Sequence, residues 1–157
     1  MLNDEHVNFA QQLLKAQFSS LNGLRSTLLQ SKKQPLSECS QALQIIHSRG
    51  NHWIAASTVS VSDGTVRVYD SVYDTLDEDT KSIISAIFHS NHFPHIKVVV
   101  PIQKQKGGRD CGLFSIANIT AVAFHLDPTT ITFDQTIMRQ HLVQCMEKHA
   151  LMPFPTK

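Results

Sequence analysis

From Cys111 to about Phe124 the sequence gives a helix no polar face. Leu113, Phe114, Ile116, Ala117, Ile119, Ala121 and Val122 cover nearly every side of it. A helix that is apolar all round has to be buried, so the remaining chain must be arranged around this one. The stretch falls short of the roughly 18 residues that a membrane span needs, which makes it the central helix of a globular domain. At 157 residues the chain can close one sizeable core, and a single domain over 1–157 is expected, alone or within a longer parent.

The flanking patterns say what surrounds that helix. Asn3 or Asp4 can cap a first helix, and Val7, Ala10, Leu14 and Phe18 recur at helical spacing, predicting a helix over about 4–18. After Phe18 the chain is polar through Gly23 and up to Pro35 and reads as loops and short turns. Ser40 to Ser48 is too brief to choose between helix and strand. Trp53 to Val61 is rich in small and β-branched residues, Ser62-Asp63-Gly64 forms a turn, and Thr65 to Tyr69 alternates, so the two runs predict a β-hairpin. Thr75-Leu76-Asp77-Glu78 fits a capping box, with Ile83, Ile84, Ile87 and Phe88 as the core face of the helix behind it. Ile96 to Val100 reads as a short strand, and a last helix is predicted from about Asp134 to His149. The order predicts an α+β domain: a small mixed sheet with the buried helix entering from the Gln103–Asp110 loop.

Charge and cysteine content narrow the function. Fourteen basic against thirteen acidic side chains, a net charge of +1, lack the excess that nucleic-acid binding requires. The start of the chain has no signal-peptide pattern. Three cysteines, Cys39, Cys111 and Cys145, form no CxxC pair, which argues against a disulfide framework or a structural zinc and for a reducing, intracellular setting, nuclear or cytoplasmic. Nine histidines include no pair at metal-ligand spacing on one helix, so neither metal nor cofactor is expected.

The segment from Gln105 to Phe114 carries the chemistry. Gly107 and Gly108 let the loop turn sharply, and Cys111 opens the buried helix. There unpaired N–H groups and the helix dipole favour a thiolate. Gly112 is expected to keep the approach to the sulfur open, and a backbone N–H at the helix start could serve an oxyanion. A thiolate needs a proton partner held by a third group. His52 stands directly before the strand run and Asp70 ends its hairpin partner, which brings the two within reach of each other. Cys39, Cys145 and His141 read as packing residues. Lys104, Lys106 and Arg109 read equally as a solvated rim or as a patch for an acidic partner.

Taken in order, Leu2-Asn3-Asp4, His52-Trp53, Asp70-Ser71, Gln105 and Asp110-Cys111-Gly112 resemble the ubiquitin-like protein-specific proteases, the desumoylase-type cysteine peptidases related to adenoviral proteinase. The resemblance runs from Leu2 to about Met146. It implies a papain-like fold, with Cys111 as nucleophile, His52 as general base and then acid, and Asp70 as its orienting carboxylate. It further implies that Gln105, rather than Gln103, donates to the oxyanion. Trp53, Asp110 and Gly112 would lie on the substrate side, Trp53 walling a narrow channel for a di-glycine tail. The family often carries a tryptophan before Leu-Asn-Asp as the other wall; Met1 stands there here, which bears on tunnel geometry but not on the triad. The expected partner is SUMO or a related modifier and its conjugates, met by a monomer. Two rivals remain: the same fold acting on ubiquitin or a non-modifier polypeptide, and a modifier-binding module without turnover.

Overall fold

Strand alternation sorts the apolar side chains of one sheet onto two faces, and helices close both. The computed structural model describes residues 1–89 and 95–157. Five strands stand in the order β1 (Asn22–Gly23), β2 (Ala42–Ser48), β3 (His52–Ser57), β4 (Val66–Tyr69) and β5 (Ile96–Val98). The inner pairs β2–β3 and β3–β4 are antiparallel; the outer pairs β1–β2 and β4–β5 are parallel. Leu43, Ile45, Trp53, Ala55 and Tyr69 belong to one core, while Ala42, Ile46, Ile54, Ala56, Val66 and Val68 belong to the other. Burial of both faces explains why β2 and β3 read as near-continuous apolar runs.

Helices α1 (Asp4–Gln17), α3 (Cys111–Ala123) and α4 (Met138–Glu147) lie with the first core, and α2 (Glu78–Ile87) with the second. Every residue of α3 is buried, as the apolar run requires. Leu113, Phe114, Ile116 and Ile119 each contribute about 1.5–3 kcal/mol of transfer free energy there. Asn3 caps α1: its side chain accepts the His6 N–H, and the His6 ring accepts the Asn3 N–H in return.

Several boundaries depart from the sequence reading. Within the Ser40–Ser48 stretch, Ala42–Ser48 is strand. The polar stretch after Leu21 contains β1 and a 3-10 turn, Thr27–Lys32. β1 depends on its glycine: Gly23 has φ of +78°, and a Cβ there would meet the Leu43 carbonyl oxygen at 2.2 Å. β3 stops at Ser57 instead of reaching Val61, because the Ser57 hydroxyl accepts the Val59 N–H and Ser60 turns left-handed. α2 is capped by Asp77, whose carboxylate accepts the Thr80 N–H, so the capping box read from Thr75 sits two residues early. The last helix begins at Met138 after a 3-10 turn capped by Asp134.

Candidate active site

The hairpin brings His52 and Asp70 together by register. Ala55 pairs with Tyr69, and continuing that ladder sets Asp70 across from Ile54, two residues from His52. Diagonal neighbours of this kind are about 7–8 Å apart, a gap their side chains close. His52 Nε2 lies 2.7 Å from Asp70 Oδ1. The same oxygen accepts the Val72 N–H at 2.8 Å and the Tyr73 N–H at 3.0 Å. Oδ2 is buried and has no hydrogen-bond partner among the described residues. Burial pushes the Asp70 carboxyl up, but His52 and the two N–H groups outweigh it and hold the pKa below the ordinary carboxylate value.

Cys111 is the first residue of α3 and is 2% exposed. Asp110, the residue at the cap position, makes no side-chain cap. With His52 Nε2 committed to Asp70, Nδ1 is the nitrogen left for the sulfur. Burial raises the thiol pKa, yet the hydrogen bond to His52 and the backbone N–H groups of Trp53 and Gly112 outweigh it, leaving Cys111 below its ordinary value. For His52 burial alone would lower the pKa; Asp70 and the Cys111 sulfur reverse the sign and raise it to about 9. Opposite shifts on a contacting pair favour thiolate beside imidazolium, which is a nucleophile with its proton already on the neighbouring acid.

Gln103 and Gln105 part company. The Gln103 side chain is spent on Phe133, accepting its N–H at 2.7 Å and donating to its carbonyl at 3.1 Å. Gln105 accepts from the Ser71 hydroxyl and donates one amide hydrogen to the Gly107 carbonyl at 3.0 Å, which leaves its second amide hydrogen free to donate. Lys104, read from sequence equally as rim charge or as part of a patch for an acidic partner, donates to the carbonyls of Asp70 at 3.0 Å and Tyr73 at 3.2 Å, and pairs with Asp74 at 2.7 Å. Its acceptors lie some thirty residues away, so nothing local marks it; Ser71 was visible only as the partner of Asp70 in a short motif.

Around this centre the expected substrate-side residues have different surroundings. Trp53 packs at a tilt against His47, ring centroids 4.6 Å apart, and donates its indole N–H to the Leu2 carbonyl at 3.2 Å. With Met1, Leu28 and His47 it lines a groove of about 600 Å³. Asp110 is held on both oxygens, by Gln135 and by Arg139, each at 2.8 Å. At Gly112 the space a Cβ would take is filled by Leu2, 3.0 Å away, so the glycine admits the N-terminal segment there. Met1 also borders a second groove, lined by Lys106, Arg109 and Arg139.

The fold is shared with known proteins. No curated protein sequence matches the chain, but residues 2–154 match the Ulp1 protease family, C-terminal catalytic domain. Among solved structures the fold is similar to the C-terminal Ulp1 protease domain in complex with Smt3, the yeast ortholog of SUMO. There the TM-score is 0.67 at 16% identity, covering 94% of this chain and 77% of that one. Ulp1 with its catalytic cysteine oxidized to a sulfinic acid gives a TM-score of 0.69 at 13% identity, with coverages of 96% and 79%. The Xanthomonas campestris effector XopD bound to ubiquitin gives 0.59 at 16%, with coverages of 91% and 90%. A buried α3 opening on Cys111, a histidine and a carboxylate on the adjoining hairpin, and a family match over nearly the whole length lead to one conclusion: the chain belongs to the Ulp1 protease family and is a cysteine protease domain of that family.

Proposed function

We propose that this domain, acting as one catalytic unit over residues 1–157, hydrolyses the bond after the di-glycine C-terminus of SUMO or a related ubiquitin-like modifier. The observation that carries the reading is the 2.7 Å bond between Asp70 and His52 beside Cys111 at the start of α3, where His52 lowers the thiol pKa and its own pKa is raised. Ulp1 in complex with Smt3 supports the modifier class. The Trp53 groove, bordered by Met1, suits an extended tail; small glycines pass where larger side chains would meet the indole.

The Cys111 thiolate attacks the carbonyl carbon of the terminal glycine. The oxyanion that develops accepts the free amide hydrogen of Gln105, together with a backbone N–H at the start of α3. As the C–N bond breaks, His52 gives its proton to the departing amine, and a thioester to Cys111 remains. Water then loses a proton to His52 and attacks the thioester carbon, releasing the modifier carboxylate and the thiolate. Asp70 keeps the imidazole oriented and stabilises its charged form throughout. Three unpaired cysteines fit an intracellular, reducing location, nuclear or cytoplasmic. Among the described residues no helix is long and apolar enough to cross a membrane.

A panel of modifiers with electrophilic C-termini tests the reading, with Cys111→Ala as control. An adduct with a SUMO probe, lost in the variant, is the expected result. Exclusive reaction with ubiquitin would move the substrate to the modifier seen with XopD. Failure with every probe, with Cys111 also inert to a small alkylating reagent, would leave only a binding module.

A further inference from the structure

Tyr73 is a large side chain left exposed, 40% of it open, and its neighbour Val72 is 42% open. Both follow Asp70 directly. The Tyr73 ring stands edge-on to His52, 5.4 Å between centroids at 85°. Its place is fixed from several directions. The Tyr73 N–H is bound to Asp70 and its carbonyl to Lys104. The Arg49 guanidinium lies 4.0 Å from the ring centroid and is itself tied to the Thr75 carbonyl at 3.1 Å. An exposed aromatic ring held this firmly offers contact area with little ordering cost on binding.

The chemistry gives the ring an occupant. The departing amine must take its proton from His52, so the segment bearing that amine has to pass close against the imidazole. On one side of β3 lie β2 and the groove of Trp53, His47 and Leu28, where the modifier tail enters; on the other lie β4 and the turn carrying Val72 and Tyr73. We propose that Tyr73, with Val72 beside it, forms the surface that receives the leaving side of the substrate: the aliphatic stem and flanking main chain of a conjugated lysine, or the tail of a precursor. The assignment rests on the di-glycine reading and adds the residues that distinguish one leaving group from another.

The test uses two substrates with the same modifier and different leaving groups, a small fluorogenic amine and an isopeptide-linked polypeptide. The readout is the ratio of kcat/KM for the polypeptide to that for the small amine, which cancels any general loss of His52 function. Tyr73→Ala is expected to lower this ratio about tenfold, in the range of truncating one well-packed interface residue. Val72→Asp, which alters an exposed side chain, should lower it as well, and Tyr73→Phe should preserve it. If Tyr73→Ala and Val72→Asp slow both substrates by the same factor, the ratio stays put and Tyr73 only steadies His52, which overturns the proposal. An active wild type with an unchanged ratio removes this proposal alone. A wild type inert to both substrates removes the di-glycine reading beneath it.

Discussion

Gln105 and Ser71 hold each other twice: the Gln105 N–H donates to the Ser71 carbonyl at 2.9 Å, and the Ser71 hydroxyl donates to the Gln105 side-chain oxygen. Ser71 follows Asp70 directly, so the carboxylate bonded to His52 and the residue proposed for the oxyanion share one clamp. The hydroxyl also fixes which way the Gln105 amide faces, because it takes the oxygen and turns the NH₂ group outward.

This arrangement separates two kinds of reaction at Cys111. Acyl transfer builds an oxyanion, and loss of one side-chain donor typically costs about 10²–10³ in kcat. Alkylation by iodoacetamide builds none. Gln105→Ala should therefore cut turnover of a modifier substrate by about 10²-fold while Cys111 alkylates at close to the wild-type rate. Equal losses in both assays would mean that Gln105 only supports the loop.

Asp70→Asn should be milder than a broken triad usually is. Loss of orientation through a wrong tautomer costs about 10⁴-fold elsewhere. Here two backbone N–H groups point at the oxygen that faces His52, and they keep an amide oxygen there rather than an NH₂. The NH₂ then takes the place of Oδ2, which has no hydrogen-bond partner to lose among the described residues. What disappears is the negative charge that helps raise His52, so turnover should fall by about 10–10²-fold and its alkaline limb should move below about 9. Asp70→Ala removes orientation as well and should fall further. Turnover and pH profile of the two variants, side by side, decide it.

The pH dependence has a definite sense. The Cys111 pKa is lowered, so the thiolate persists below the free-cysteine value of about 8.5, and the acid limb of turnover should lie beneath it. The His52 pKa is raised to about 9, so the proton for the leaving amine is lost as pH climbs through that value, giving an alkaline limb. Small-reagent alkylation needs only the thiolate and should plateau where turnover declines. Cys39, whose pKa burial raises, should label only at higher pH. An acid limb at or above about 8.5 would remove the ion-pair picture.

How legible all this was depended on range. The buried helix, the hairpin and the pairing of His52 with Asp70 follow from local patterns: an apolar circumference, a turn between two strand-like runs, and ladder geometry. Gln105 could be preferred over Gln103 only by spacing, whereas the structure separates them by what each side chain is bonded to. β1 was not legible, because its strand is two residues long and exists only by pairing with β2. Nothing in the sequence singled out Tyr73 or Arg49 or gave Lys104 its partners, since these groups are brought together by folding and not by sequence. The closeness of Gly112 to Leu2 was hidden for the same reason, since Leu2 stands at the other end of the chain.

That contact yields a stability prediction. A helical Gly→Ala change normally gains about 0.5–1 kcal/mol of propensity. At Gly112 the added Cβ would lie 3.0 Å from the Leu2 Cβ, 3.3 Å from its Cδ1 and 3.4 Å from its Cγ, and overpacking costs about 1–3 kcal/mol. The net should be a loss of about 1 kcal/mol, with Leu2 displaced. Because the Leu2 carbonyl accepts the indole N–H of Trp53, the sole tryptophan, its fluorescence reports the displacement directly. In a Leu2→Ala background most of the crowding atoms are absent, so Gly112→Ala should cost less than it does alone. Denaturant titrations of the four variants measure that coupling. Additive costs, with unchanged tryptophan emission, would mean that the helix start tolerates a side chain and that the glycine serves another purpose.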